Sequence, residues 1–443
     1  MKDVVNVGIV GFGTVGSGTA RILLEQKSLL RKRTSTSVNL KWICDKDITS
    51  DRGFPVPEGI LTTDIDQLMD DPELDILVEL IGGIEPAKTF ILQAIEKGKH
   101  VVTANKALLA THGFEIFEAA SKKGVEVGFE ASVGGGIPCI KALKEGLVAN
   151  NVSTVLGIMN GTANYILTRM TMEGLAFDHV LKQAQELGYA EADPTYDVEG
   201  IDTAHKLAIM STLAFGQRIG LDDIYTEGIS KITPLDISFA TELGYSIKLL
   251  AIGKKNSHES VDVRIHPTMI PKDHLLSQVN GAFNAVYFVG DSVGKVMLYG
   301  MGAGQMPTGS AIVADIVDIA RDITRGCTGR VPALSQPFDS IGPPRIKPVE
   351  SICCKYYFRF TVMDKPGVLS RISGILGEEE ISINSVVQKG RASKASSVPI
   401  VMLTHEAQEG RVKKALKEID SQDFILDETM IIRIEDMKAL EES

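Results

Sequence analysis

The chain has 443 residues, with 46 Lys and Arg against 57 Asp and Glu, a net charge of −11 and 44% hydrophobic residues. That length suggests about three domains, and an acidic balance without any basic run argues against nucleic acid, whose phosphates need clustered Lys and Arg. Five scattered cysteines without metal or disulfide spacing, an N-terminus that runs into glycines instead of an apolar leader, and no apolar run of about 18 residues point to a reducing cytoplasm, with neither export nor membrane insertion.

Residues 4–10, VVNVGIV, are a short apolar run followed by Gly11, Gly13 and Gly16, after which TVGSGTARILLEQ has helical period. A GxGxxG between a strand and a helix predicts dinucleotide binding. Gly11 permits the turn, Gly13 admits a pyrophosphate to the backbone, Gly16 lets helix and strand pack, and free N–H groups at the helix start attract the anion. A tight turn with no ligand is the competing reading, and the strand–helix alternation that follows weighs against it. The second apolar run, VNLKWIC, leads to Asp45, placed to hold a ribose; Lys46 and Arg52 nearby are cations for a 2′-phosphate, so NAD and NADP both stay open.

Further runs at 74–82, 100–105 and 125–130 alternate with helical stretches, the pattern of a parallel, doubly wound α/β sheet over 1–133. Thr103-Ala104-Asn105-Lys106 lies where such a sheet meets its ligands, so Lys106 is either a site residue or a solvated helix-start lysine. In FEASVGGGIP, Glu130 and bare loop carbonyls are oxygen donors for a hard cation, or the loop is a plain crossover.

Residues 134–324 read as an α+β substrate and dimerisation domain, whose last helix either closes this half or returns to the first domain. Its chemical centre is LGYAEADPTYDVEGIDTAHK, 187–206, with five carboxylates ahead of one lysine. Asp202 and Lys206 stand four apart on a predicted helix and can meet. Calcium is excluded, because Val198 occupies the place where an EF-hand loop needs glycine. One or two acids suit a helix start; the rest are placed to hold a cation and fix the lysine. Residues 325–350, with five prolines, read as a linker. Residues 351–443 give the order βαββαβ of a ferredoxin-like sandwich, expected to be separable, so that removal of the chain beyond Pro348 spares catalysis.

The segments VGIVGFGTVGSG, VVTANKALLA, FEASVGGGIP, IMNGTANYILT, LGYAEADPTYDVEGIDTAHK, GISKIT and YGMGAGQMPT together resemble homoserine dehydrogenases of the monofunctional type that end in an ACT domain. The resemblance spans essentially the whole chain. It implies reversible NAD(P)H-dependent reduction of L-aspartate 4-semialdehyde to L-homoserine, on the way to threonine, methionine and isoleucine, by a homodimer or homotetramer. Lys206 matches the general acid/base and Lys106 its assistant. Glu191 and Asp202 match the holders of the substrate ammonium, with Asp197 behind them and Gly188 beside substrate and cofactor. The dinucleotide contacts implied are Gly11, Phe12, Gly13, Thr14, Val15, Gly16, Asp45, Gly82, Lys106, Gly188 and Gly304.

By the same likeness, Glu130 with the carbonyls of Val133, Gly135 and Ile137 matches a structural sodium site. Cys44 stands where many relatives carry arginine, which weakens an NADP preference. In the tail, Asp364, Pro366, Gly367, Val368 and Asn384 match an ACT effector site, with threonine the implied ligand or a dimerisation module the alternative. Two rivals are an acylating semialdehyde dehydrogenase with Cys139 as nucleophile, and a threonine-sensing binding protein with an inactive catalytic half.

Overall fold

The structure is a computed structural model that describes residues 2–388 and 397–437. Residues 389–396 and 438–443, which belong to the stretch read above as βαββαβ, lie outside the described residues. The chain folds into two compact units, Met1–Met159 with Asp202–Ile224 and Phe283–Pro344, and Asn160–Ile201 with Tyr225–Ala282 and Arg345–Ser443.

In the first unit, β1 (Val4–Val10), β2 (Ser37–Cys44), β3 (Leu61–Thr62), β4 (Ile76–Glu79), β5 (His100–Thr103) and β6 (Val127–Gly128) form a sheet of order β3-β2-β1-β4-β5-β6. All neighbours are parallel, which is the dinucleotide-binding order with its switch point between β1 and β4. A central parallel strand is covered on both faces. Accordingly Val5, Val7 and Ile9 are each 0% exposed, each contributing about 1.5–3 kcal/mol of burial.

The helix Gln305–Arg325 packs on α1 (Thr14–Glu25) and shares its apolar core with β1 and β2. Small residues permit the approach: a Cβ on Gly309 would lie 3.0 Å from the Gly18 backbone. Strands Gly294–Met301, Phe283–Gly290 and Val152–Ile158 pair antiparallel in the same unit. The sixth strand is shorter than the run 125–130 suggested, because after Gly128 the chain turns into a 3₁₀ helix, Glu130–Ser132, whose first N–H donates to Asp315 at 2.8 Å.

In the second unit, Tyr245–Lys255 and Val261–Pro271 pair antiparallel. The latter pairs in parallel with Ile425–Ile434, through Thr268 opposite Arg433 and Met269 opposite Ile434. Beyond it lie Cys353–Met363, Ser397–Thr404 and Ile383–Gln388. The last four strands, in the spatial order fourth, first, third, second, with helices Val368–Glu378 and Glu409–Asp420, make the ferredoxin-like βαββαβ layer.

Buried ion pairs tie that layer to the rest of its unit. Arg359 donates to Asp236 at 2.6 and 3.1 Å, and Arg264, 2% exposed, donates to Glu435 at 3.1 Å. The tail, expected above to be separable, shares a sheet and buried charges with 225–282. The proline-rich stretch is likewise fixed in place, with Gly342 N–H donating to Gly216 at 3.0 Å and Arg218 N–H to Gly342 at 2.8 Å.

Candidate active site

The glycine fingerprint adopts the conformation its sequence requires. Gly11 has φ +103, which favours glycine, and its N–H donates to Cys44 O at 2.8 Å. A Cβ on Gly16 would stand 1.9 Å from Gly11 O, whereas one on Gly13 would meet nothing within 4 Å. Gly13, just before Thr14 and Val15 at the start of α1, therefore faces open space, the cradle that a pyrophosphate needs. The residues fit a dinucleotide.

The Asp45 carboxylate accepts the N–H groups of Phe12 and, at 2.8 Å, Asp47, so it is drawn into the fingerprint itself. Arg52 lies over the Phe12 ring, 5.3 Å from its centroid, bonds to Asp47 through Nη2, and buries an Nε that lacks a hydrogen-bond partner. Gly304, at φ +124, ends the turn before helix Gln305–Arg325, whose Gln305 side chain donates to Ser17 of α1 at 2.9 Å.

At the switch point, Glu79 ends β4 fully buried. It accepts the N–H groups of Ile81 and Gly82 at 2.9 and 3.1 Å and the Thr103 hydroxyl at 2.7 Å. Burial pushes its carboxyl above the ordinary range. Asn105 caps the helix Lys106–Lys123 by accepting Leu108 N–H at 3.1 Å and donates to Gly83 O at 2.6 Å. Thus one buried acid and one cap set both the Gly82 loop and the helix that begins with Lys106.

The helix predicted after Gly200 spans Ile201–Phe215. Lys206, 8% exposed, donates to Asp202 Oδ2 at 2.7 Å and to Met159 O at 2.6 Å, and Lys106 Nζ lies 3.0 Å from Asp202 Oδ1. One buried carboxylate thus joins two ammonium groups, an arrangement able to stabilise a developing oxyanion and give it a proton.

In the second unit, Gly188 (φ +75) and an exposed Glu191 follow helix Phe177–Glu186. Asp197 accepts Asn160 Nδ2 at 2.7 Å.

The comparisons with known proteins agree with this geometry. The family model for homoserine dehydrogenase matches residues 138–317, that for the homoserine dehydrogenase NAD-binding domain residues 11–130, and that for the ACT domain residues 356–422. The homoserine dehydrogenase of Pseudomonas aeruginosa is 44% identical over 98% of this chain and 99% of its own length. The chain belongs to the homoserine dehydrogenase family. The crystal structure of a homoserine dehydrogenase from Thiobacillus denitrificans superposes with a TM-score of 0.91 at 46% identity, covering 98% of this chain and 99% of that one. A hyperthermophilic archaeal homoserine dehydrogenase in complex with NADPH gives 0.60 at 25% identity over 71% of this chain and 97% of that one.

As a homoserine dehydrogenase family member, the protein is an NAD(P)-dependent oxidoreductase. Cys139 does not suit the nucleophile of an acylating rival: it is fully buried, its thiol donates to Val133 O at 3.3 Å, and burial pushes it up, away from the reactive thiolate. Glu130 accepts the N–H groups of Ile140 and Lys141 at 2.9 and 2.8 Å, capping the turn that follows Pro138. Among the described residues no cluster of three or more His, Cys, Asp or Glu is placed to hold a metal. The sodium expectation at Glu130, Val133, Gly135 and Ile137 gains no support from these contacts.

In the ACT layer, Gly367 (φ +92) precedes helix Val368–Glu378, with Asp364 and Pro366 in the turn before it and Asn384 exposed on strand Ile383–Gln388. Sequence reasoning missed Glu79 and the Met159 carbonyl. The first had a signal, an acid inside an otherwise apolar strand; a backbone carbonyl has none.

Proposed function

We propose that the protein interconverts L-aspartate 4-semialdehyde and L-homoserine with NAD(H) or NADP(H), and that Lys206 is its general acid/base. The observation that carries this is Lys206 held between Asp202 and the Met159 carbonyl, with Lys106 on the same carboxylate. When bound, a reduced nicotinamide would supply the hydride that the aldehyde carbon takes. As the carbonyl electron pair moves to oxygen, Lys206 donates a proton there and Lys106 offers a second positive charge. In the reverse direction Lys206 accepts the hydroxyl proton. Asp202 orients both lysines and, as the family likeness suggests, serves with Glu191 to hold the substrate ammonium, with Asp197 in support and Gly188 beside the cofactor.

Phe12, Thr14, Val15, Gly82 and Gly304 join the three fingerprint glycines as dinucleotide contacts. Arg52 adds a cation near the fingerprint while Asp45 is already engaged by two N–H groups, which favours acceptance of NADP(H) as well as NAD(H).

The proposal extends to a cytoplasmic enzyme of threonine, methionine and isoleucine synthesis, inhibited by threonine at the turn 364–368 with Asn384. The free state of the cysteines is compatible with that compartment, and no described helix is long and apolar enough to cross a membrane. Association of identical subunits is proposed through strand Gly294–Met301, where Tyr299 and Met301 stand 54% and 46% exposed. Cofactor oxidation in the presence of the semialdehyde, with and without threonine, tests both activity and regulation. No oxidation with either cofactor refutes the activity; unchanged oxidation with threonine refutes the regulation.

A further inference from the structure

Arg433, on the last strand of the ACT layer, is 2% exposed and divides its guanidinium between two carboxylates. Its Nε and Nη2 donate to Glu409 at 2.9 and 2.5 Å, and its Nη1 and Nη2 donate to Glu227 at 2.9 and 3.1 Å. Glu409, fully buried, opens helix Glu409–Asp420 and accepts the Tyr356 hydroxyl at 2.8 Å. Glu227 also accepts the Tyr225 hydroxyl, and its N–H donates to Ile265 O at 2.8 Å. A buried guanidinium is tolerated only while its carboxylates stay in register, so breaking one side disturbs the other. The strap 225–229 is therefore fastened to the ACT layer.

The same strap bears on the segment that precedes the catalytic helix. A Cβ on Gly228 would lie 2.3 Å from Glu199 Oε2 and 2.5 Å from Val198 O, and Ile229 N–H donates to Val198 O at 2.8 Å. Gly200, at φ +81, has room for a Cβ only at 3.1 Å from Thr226 Cγ2. The chain that carries Glu191 and Asp197 thus ends in a turn, 198–200, whose backbone rests on the strap. Asn160 holds Asp197 through the hydrogen bond described above.

We propose that Arg433 and Glu227 are positioning residues. They fix the strap 225–229, the strap fixes the turn 198–200, and through it the ACT layer governs the fit of the aldehyde substrate. This rests on the substrate roles assigned to Glu191 and Asp197.

The test uses the full-length enzyme with Glu227→Gln, which keeps the shape and removes the charge, and Gly228→Ala, which wedges strap and turn apart. Both should lower kcat/KM for the semialdehyde by about tenfold or more, the scale expected when substrate is misplaced by a fraction of an ångström to one ångström. The Kd for the cofactor should stay at the wild-type value, and Arg433→Lys, which keeps charge but loses the planar fork, should fall in between. Wild-type kcat/KM in both variants overturns the inference, as does an equal loss of cofactor affinity, which a merely structural role produces. If either variant fails to fold, Tyr225→Phe, which removes one hydroxyl from Glu227, decides by the same two constants. Glu191→Gln is the control for the substrate role beneath: unchanged semialdehyde kinetics there refute Glu191 as a substrate residue, while the strap variants still measure the coupling of strap to turn.

Discussion

Replacement of Lys206 by alanine removes the proton donor while sparing most of the structure around it. The ammonium sits 2.7 Å from Asp202 and 2.6 Å from Met159 O, and alanine reaches neither. Acid/base assistance is worth about 10²–10⁴ in rate, or about 3–5 kcal/mol on the barrier. The folding penalty is smaller than the about 3–5 kcal/mol of a fully unpaired buried charge, because Lys106 still lies 3.0 Å from Asp202. The assay is steady-state reduction of the semialdehyde, with cofactor Kd from fluorescence and the thermal midpoint measured alongside. The variant should fold, bind cofactor normally and lose at least about a hundredfold in kcat. Lys206→Arg should be nearly as poor, since a guanidinium holds its proton past about pH 12. A kcat within about threefold of wild type in Lys206→Ala refutes the assignment.

The fingerprint glycines should separate. Gly13→Ala, with open space at its Cβ, should keep its thermal midpoint and lose about tenfold or more in cofactor affinity, whereas Gly16→Ala, 1.9 Å from Gly11 O, should be destabilised outright in a melting experiment. Burial, with Asp315 alongside, pushes Glu130 from 4.5 up to about 7, and burial pushes Asp315 from 3.8 up to about 6. Both hold their proton more tightly when folded, so their contribution to stability grows as pH falls through these values and is lost as pH rises. Glu130→Gln should therefore flatten the difference in urea midpoint between about pH 6 and about pH 8. Ending the chain at Pro348 should give an unstable or insoluble protein, scored by soluble yield and melting, because it bares the edge of Val261–Pro271 and removes Arg359 from Asp236 and Glu435 from Arg264; a stable, fully active fragment would contradict the shared sheet.

Local pattern carried the elements and most of the site. The strand, the GxGxxG and the following helix lie within residues 4–25, and Asp202 and Lys206 are one helical turn apart, so period and spacing were enough to predict them. What escaped depends on partners far along the chain. Arg433 meets Glu227 across a separation of 206 residues, and a proline-rich stretch reads as a linker although its backbone is bonded to Gly216 and Arg218. Edge pairing between Val261–Pro271 and Ile425–Ile434 is equally silent in the sequence, because a strand's own residues do not name the neighbour it pairs with. Glu79 lies between these cases: its placement in a buried strand was visible, and its partners Thr103 and Gly82 were not.

The central claim is tested most directly by mixing the purified enzyme with L-aspartate 4-semialdehyde and, in separate reactions, NADH and NADPH, then following cofactor oxidation and identifying the product. Stoichiometric oxidation of at least one cofactor with formation of L-homoserine is predicted. Absence of oxidation with both, or a product other than the alcohol, would contradict the account.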